Sequence, residues 1–183
     1  MSLPTRPLTV TINGRRHGPM DVPVGMMMID VLHEMLDLTG SRQGCDLGIC
    51  NACVVIWDRD DQTSEEVPTC VADAHFFDGR CIRTIEGAAQ RNDKGEIVAL
   101  SPVQQAFLDR FSFECGYCTP GFVNAATVLV EGLKRKPVPR TEVEATVAAA
   151  LETHLCRCTG YVRYYEAVRD VILATPGLTR DGP

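Results

Sequence analysis

The sequence has no apolar run long enough to cross a membrane. Its purest stretch, Gly121 to Val130, falls far short of the roughly 18 uncharged residues such a helix needs, so direct membrane insertion is not expected. Basic charge is also lacking: 18 Lys plus Arg stand against 24 Asp plus Glu, a net charge of −6 with a pI near 5.2. A nucleic-acid or anionic-membrane partner would need a basic face, so neither is expected. No secretory pattern of charged start and apolar block is present near Met1, and Arg15-Arg16 runs into His17-Gly18-Pro19, which a twin-arginine signal would not. A cytoplasmic address is therefore expected, although a folded subunit can also be exported with a signal-bearing partner. Nucleophilic triad, P-loop and dinucleotide fingerprint are all absent, and Gly14 to Gly18 lacks the required spacing. No substrate chemistry is assigned to this chain.

What the sequence does have is cysteine: nine in 183 residues, an odd number with tight local spacings. In a reducing compartment such clusters point to metal or redox chemistry before disulfides. The length suits one or two domains, and 45% hydrophobic with 23% charged residues is ordinary for a globular chain.

Two periodicities divide the chain. Leu8, Val10 and Ile12 alternate with Thr9 and Thr11, and Asn13-Gly14 follows as a hairpin turn. The return strand runs through His17 to Val24, broken locally by Pro19 and Pro23. Met28, Val31, Leu32, Met35 and Leu36 predict an amphipathic helix over 28–37 that Gly40 stops. Val54 to Trp57 reads as a buried strand, with shorter strands near Glu66-Val67 and Arg80 to Ile85 completing a small mixed sheet. Residues 87–101 are polar and suit a linker. Beyond them the period becomes 3.6, with apolar stripes on Val103–Phe111, Phe122–Leu133, Val143–Leu151 and Tyr164–Ile172. Thr141-Glu142-Val143-Glu144 reads as a capping box for the third of these helices. The second half is thus a four-helix unit.

Cys45, Cys50 and Cys53 form C-x4-C-x2-C, with Cys70 sixteen residues on, the plant-type ferredoxin spacing for a 2Fe-2S cluster. Two irons and two sulfides need four thiolates around a small anionic body, so three come from one tight loop. Gly44 and Gly48 let that loop bend, and its N–H groups can point at the sulfurs. Zinc is the alternative, but zinc sites usually join two short-spaced pairs. Cys115 and Cys118 (C-x2-C) with Cys156 and Cys158 (C-x-C) are less decisive, since two pairs could also hold zinc. Here Cys118-Thr119-Pro120-Gly121 echoes Cys158-Thr159-Gly160, so each pair sits before a helix, with each Thr placed to cap it and Pro120 at a first helical position. Both helix N-termini would favour an anionic centre. Cys81 is left over and is expected to be a buried apolar residue.

The segments Gly44–Cys53, Glu114–Gly121 and Leu155–Tyr161 resemble the iron–sulfur subunit of xanthine oxidase and aldehyde oxidoreductase-type molybdenum hydroxylases, over about residues 7–174. The resemblance implies an α+β chain: a β-grasp, plant-type ferredoxin-like domain over 7–86, a linker over 87–101 and an all-α four-helix 2Fe-2S-binding domain over 102–175. It implies two 2Fe-2S clusters, one on Cys45, Cys50, Cys53 and Cys70, the other on Cys115, Cys118, Cys156 and Cys158. A large subunit would hold the molybdenum-pterin cofactor beside the second cluster, with Cys158 and the residue at Glu114 facing the pterin. A flavin (FAD) or haem cytochrome subunit would take the electrons onward. Substrate oxidation would occur on the large subunit, with aldehydes as the expected substrates and N-heterocycles, purines and carbon monoxide as alternatives. Three positions depart from the family pattern: Glu114 stands for a usual Gln, Asn51 for a common Gly, and His154 for a usual Asn. Asn51 can take left-handed geometry, and four cysteines leave His154 a structural hydrogen bond rather than a ligand role. A zinc-binding scaffold and a free two-cluster carrier are the competing readings.

Overall fold

The structure, a computed structural model, describes residues 3–182. The first half is a five-stranded mixed sheet in the order β2-β1-β5-β3-β4, built from β1 (Thr5–Ile12), β2 (Arg15–Pro23), β3 (Val54–Asp58), β4 (Ser64–Pro68) and β5 (Cys81–Arg83). Only the β1–β5 pair is parallel. Leu8, Val10 and Ile12 all face the core, because alternate β1 residues point to one side of the sheet. β2 is an edge strand with only Val22 buried, a place that tolerates Pro19 and Pro23. A register shift between Leu8 and Val10 absorbs the interruption in that strand.

The helix after β2 is shorter than its periodicity predicts. One α turn, α1 (Met28–Asp30), passes into a π-helical turn over Val31–Met35 and ends at Leu36, with Asp37 at φ 56°. Met28, Val31 and Leu32 still reach the core under Phe77. Gly40 is not the stop; the chain there passes so close to Ile85 that a Cβ would lie 2.2 Å from its Cγ2. Residues 87–101 contain a small hairpin, β6 (Gln90–Arg91) with β7 (Ile97–Ala99).

The second half holds four helices: α2 (Pro102–Asp109), α3 (Thr119–Arg135), α4 (Val143–Leu151) and α5 (Val162–Ala174). α5 packs on α2 and α4, and α4 on α3, around Phe107, Phe122, Val147, Leu151, Tyr164 and Ile172. Two strand pieces, β8 (Val138–Pro139) and β9 (Thr179–Arg180), pair in parallel to close this half. The capping box belongs to α2, where the Ser101 hydroxyl and the Gln104 side chain exchange backbone bonds above Pro102. Thr141 makes no such cap; a 3-10 turn over Arg140–Glu142 leads into α4.

α3 joins the halves. It lies on β3 and β4, its Asn124 amide donates to the Val54 carbonyl at 2.8 Å in a buried setting, and Glu131 shares Arg83 with Asp58 at 2.7–2.8 Å. Gly121 sits on the loop before β3, where a Cβ would come within 2.3 Å of the Asn51 carbonyl oxygen. Gly132, three turns further along α3, meets nothing within 4 Å. Gly121→Ala is therefore expected to destabilise the fold by about 1–3 kcal/mol through overpacking. Gly132→Ala should instead raise stability by about 0.5–1 kcal/mol by removing a helix-interior glycine. Denaturant unfolding of the two variants beside the parent checks both signs.

Candidate metal centres

Eight of the nine cysteines gather where α3 meets the sheet, all of them as free thiols. Cys45, Cys50 and Cys53 lie on the loop between α1 and β3, and Cys70 follows β4. The loop's shape comes from left-handed residues: Asp46 at φ 55°, Gly48 at 66° and Asn51 at 56°. Gly44 leaves room for the Cys50 sulfur, which a Cβ there would approach to 2.9 Å. The backbone N–H groups of Leu47 and Cys50 donate to Cys45 Sγ at 3.4 Å. The N–H groups of Cys50, Leu47 and Ile49 hold the Cys45 thiol down to about 6, as hydrogen bonds to a charged form do. Burial pushes the Cys50 thiol up and takes Cys70 up to about 11.

The second group comes from the two loops that lead into α3 and α5. Cys115 and Cys158 are exposed with their sulfurs 3.7 Å apart, whereas Cys118 and Cys156 are buried. Burial drives Cys118 up to about 12, with Cys156 beside it adding to the rise. Burial also pushes on Cys156, but the Thr159 hydroxyl at 3.1 Å and nearby N–H groups outweigh it and bring that thiol down. Neither threonine caps its helix. Thr119 instead bonds the Tyr164 hydroxyl at 2.8 Å, on a ring stacked against Phe122 at 4.2 Å. Thr159 accepts from the Tyr161 N–H and faces Cys156. Pro120 does occupy the first turn of α3.

The thiols pair: Cys45 with Cys50, Cys53 with Cys70, Cys115 with Cys158, and Cys118 with Cys156. Sulfurs linked two by two suit a two-iron body, in which each iron takes two thiolates beside its bridging sulfides. A cavity of about 200 Å³ opens between the groups, lined by Gly44, Cys50, Cys115, Cys118, Cys156 and Cys158.

Of the other residues singled out, Cys81 is exposed at the start of β5, not buried. Its strand is short and its side chain falls on the outer face. Glu114 is exposed beside Cys115. His154 is buried and makes a hydrogen bond to Glu66 Oε2 at 2.7 Å, the kind of bond expected of it. Asn51 takes the left-handed backbone and also donates to the Thr153 carbonyl at 3.1 Å. Asn124 and Tyr164 went unread as site residues. An amide inside the apolar stripe of α3 was the available signal for the first.

Fold and thiol groups together describe an iron–sulfur electron carrier, and comparison with known proteins narrows the class. Residues 84–169 match the family model of the 2Fe-2S binding domain. The nicotine 6-hydroxylase small subunit of Paenarthrobacter nicotinovorans is 38% identical over 163 residues, covering 89% of this chain and 87% of that one. Quinoline 2-oxidoreductase from Pseudomonas putida 86 superposes with a TM-score of 0.75 at 29% identity, over 95% of this chain and 93% of the matched one. Aldehyde oxidoreductase from Desulfovibrio gigas gives 0.74 at 31% identity, over 97% of this chain and 19% of that longer one. The chain belongs to the iron–sulfur small-subunit family of the xanthine oxidase and aldehyde oxidoreductase-type molybdenum hydroxylases, and so forms part of an oxidoreductase complex.

The opposed thiol acidities have a testable consequence. In the metal-free chain Cys45 should alkylate first, with half-maximal reactivity near pH 6, while Cys118 stays inert through pH 10. The thiolate of Cys45 stabilises the fold fully above its unfolded value of 9.0 and loses that contribution as pH falls through about 6. Peptide mapping after iodoacetamide pulses across pH 5–10 reads out both.

Proposed function

We propose that Cys45, Cys50, Cys53 and Cys70 hold one 2Fe-2S cluster and that Cys115, Cys118, Cys156 and Cys158 hold the other. The pairing of the sulfurs is the observation that carries this reading. When bound, such clusters store and release single electrons. The protein's part is to hold the thiolates, aim N–H groups at Cys45 and keep Cys118 and Cys156 dry behind Tyr164 and Phe122. We read residues 7–86 as a β-grasp, plant-type ferredoxin-like domain, 87–101 as the connection and 102–175 as the four-helix domain. The separate hydrophobic cores of the two halves support that division.

The exposed face of Cys115 and Cys158, with Glu114 at its edge, is suited to meeting a large subunit that carries the molybdenum-pterin cofactor. The opposite loop exposes Leu47 and Ile49, 68% and 59% accessible, around the half-buried Cys45. Apolar exposure of that kind suits a second partner bearing FAD or haem. Nine free thiols favour a reducing compartment, hence the cytoplasm. None of the described helices is long and apolar enough to cross a membrane.

For the substrate, the names of similar proteins favour an N-heteroaromatic ring over an aldehyde. Nicotine and quinoline enzymes supply the match at 38% identity and the match at TM-score 0.75. The aldehyde oxidoreductase at 31% keeps aldehydes as the second reading.

The native complex should contain about four irons and four acid-labile sulfides per copy of this chain. Reduction should give two paramagnetic signals, with Cys45→Ser and Cys115→Ser each abolishing a different one. Turnover should be faster with nicotinate or quinoline than with benzaldehyde. A colourless preparation with stoichiometric zinc overturns the assignment.

A further inference from the structure

His154 lies two residues before Cys156 and is 1% exposed. Its Nε2–H donates to Glu66 Oε2 at 2.7 Å, reaching from the helical half to β4 of the sheet, while Nδ1 meets no polar partner. Apart from the Phe122 ring, whose centroid is 5.3 Å away, Glu66 is what orients the imidazole. The residues on either side of His154 are tied to the first thiol loop. The Thr153 carbonyl accepts from Asn51 Nδ2 at 3.1 Å, and the Leu155 N–H donates to the Cys50 carbonyl at 3.1 Å. Cys50 of one group is thus joined through a single hydrogen bond to the residue that precedes Cys156 of the other.

We propose that His154 is a positioning residue for electron transfer between the two groups: anchored by Glu66, it holds the Leu155 N–H on the Cys50 carbonyl and so fixes the electronic contact between them. The inference rests on the reading that each group carries a 2Fe-2S cluster. One electron leaves one group and arrives at the other; no bond is made or broken, and no proton moves along His154. A hydrogen bond to a carboxylate is stronger than a neutral one and directional, so it ties to β4 a loop that is otherwise held by neutral bonds to Asn51, Cys50 and Leu151. Without it the 153–155 segment loses its side-chain tie to β4 and rests on the neutral bonds alone, the N···O gap widens, and tunnelling weakens steeply with that gap.

The test uses the assembled complex with Glu66→Ala and His154→Phe as two ways of breaking the bond and Glu66→Gln as the variant that keeps an acceptor oxygen. Iron and sulfide contents are measured first. Electron redistribution between the groups is then followed after a one-electron reducing pulse, the spin–spin splitting is recorded at full reduction, and deuterium uptake is mapped over the peptide containing Leu155. With iron at the parent level, Glu66→Ala and His154→Phe should slow redistribution several-fold and alter the splitting. Loss of a charge-assisted bond should speed exchange at Leu155 by roughly tenfold. Glu66→Gln should stay near the parent. Parent-like redistribution and exchange in both bond-breaking variants overturns the proposal. So does loss of iron with normal transfer in the molecules that keep it, which would make His154 purely structural. A parent complex lacking two distinct paramagnetic signals refutes the cluster assignment itself, an outcome separate from either of these.

Discussion

The contact between Gly121 and the Asn51 carbonyl is the constraint on which the rest of the molecule depends. A helix can approach a cysteine loop that closely only where it has no side chain, and only if the loop turns its carbonyl outward. Asn51 does so by adopting a left-handed backbone. Once these two residues meet, α3 delivers Cys118 from its first turn and rests the following turns on β3. Asn124 then donates to the buried Val54 carbonyl at the end of the cysteine loop.

The same closeness governs the electrostatics. Four thiols close together in each group would repel one another as thiolates, and the protein answers that differently at each place. N–H groups stabilise the charged form of Cys45, burial resists it at Cys70 and Cys118, and a hydroxyl and several amides draw Cys156 down. Within each group the molecule sets an easily ionised thiol among reluctant ones. Beyond the easily ionised thiol, charge therefore accumulates when a positively charged body arrives to neutralise it, the usual linkage between metal binding and thiol ionisation.

Much of this was legible in the residues. Cysteine spacing separated the two groups, the change from period 2 to period 3.6 located the sheet and the four helices, and Asn51 was readable as a left-handed position. What escaped was tertiary. The π turn at Val31–Met35 keeps the same apolar residues inward as an α-helix would, so periodicity cannot distinguish them. Thr119 and Thr159 have cap-like spacing, yet Tyr164, far along the chain, claims one hydroxyl while the other turns back to nearby Cys156 and takes the Tyr161 N–H. Cys81 follows no apolar pattern strong enough to bury it, because three-residue β5 leaves its end open. The aldehyde expectation had no residue behind it; it came with the family resemblance alone.

Asn124 carries a last implication, for how such a chain could be recombined. Its amide is sealed inside the seam between sheet and helices and finds its acceptor only on the sheet's own backbone. Grafting the helical half onto an unrelated ferredoxin would strand that donor in a dry seam unless the graft supplied a carbonyl in the same place. The two halves, though each has its own core, are therefore matched to each other at this seam.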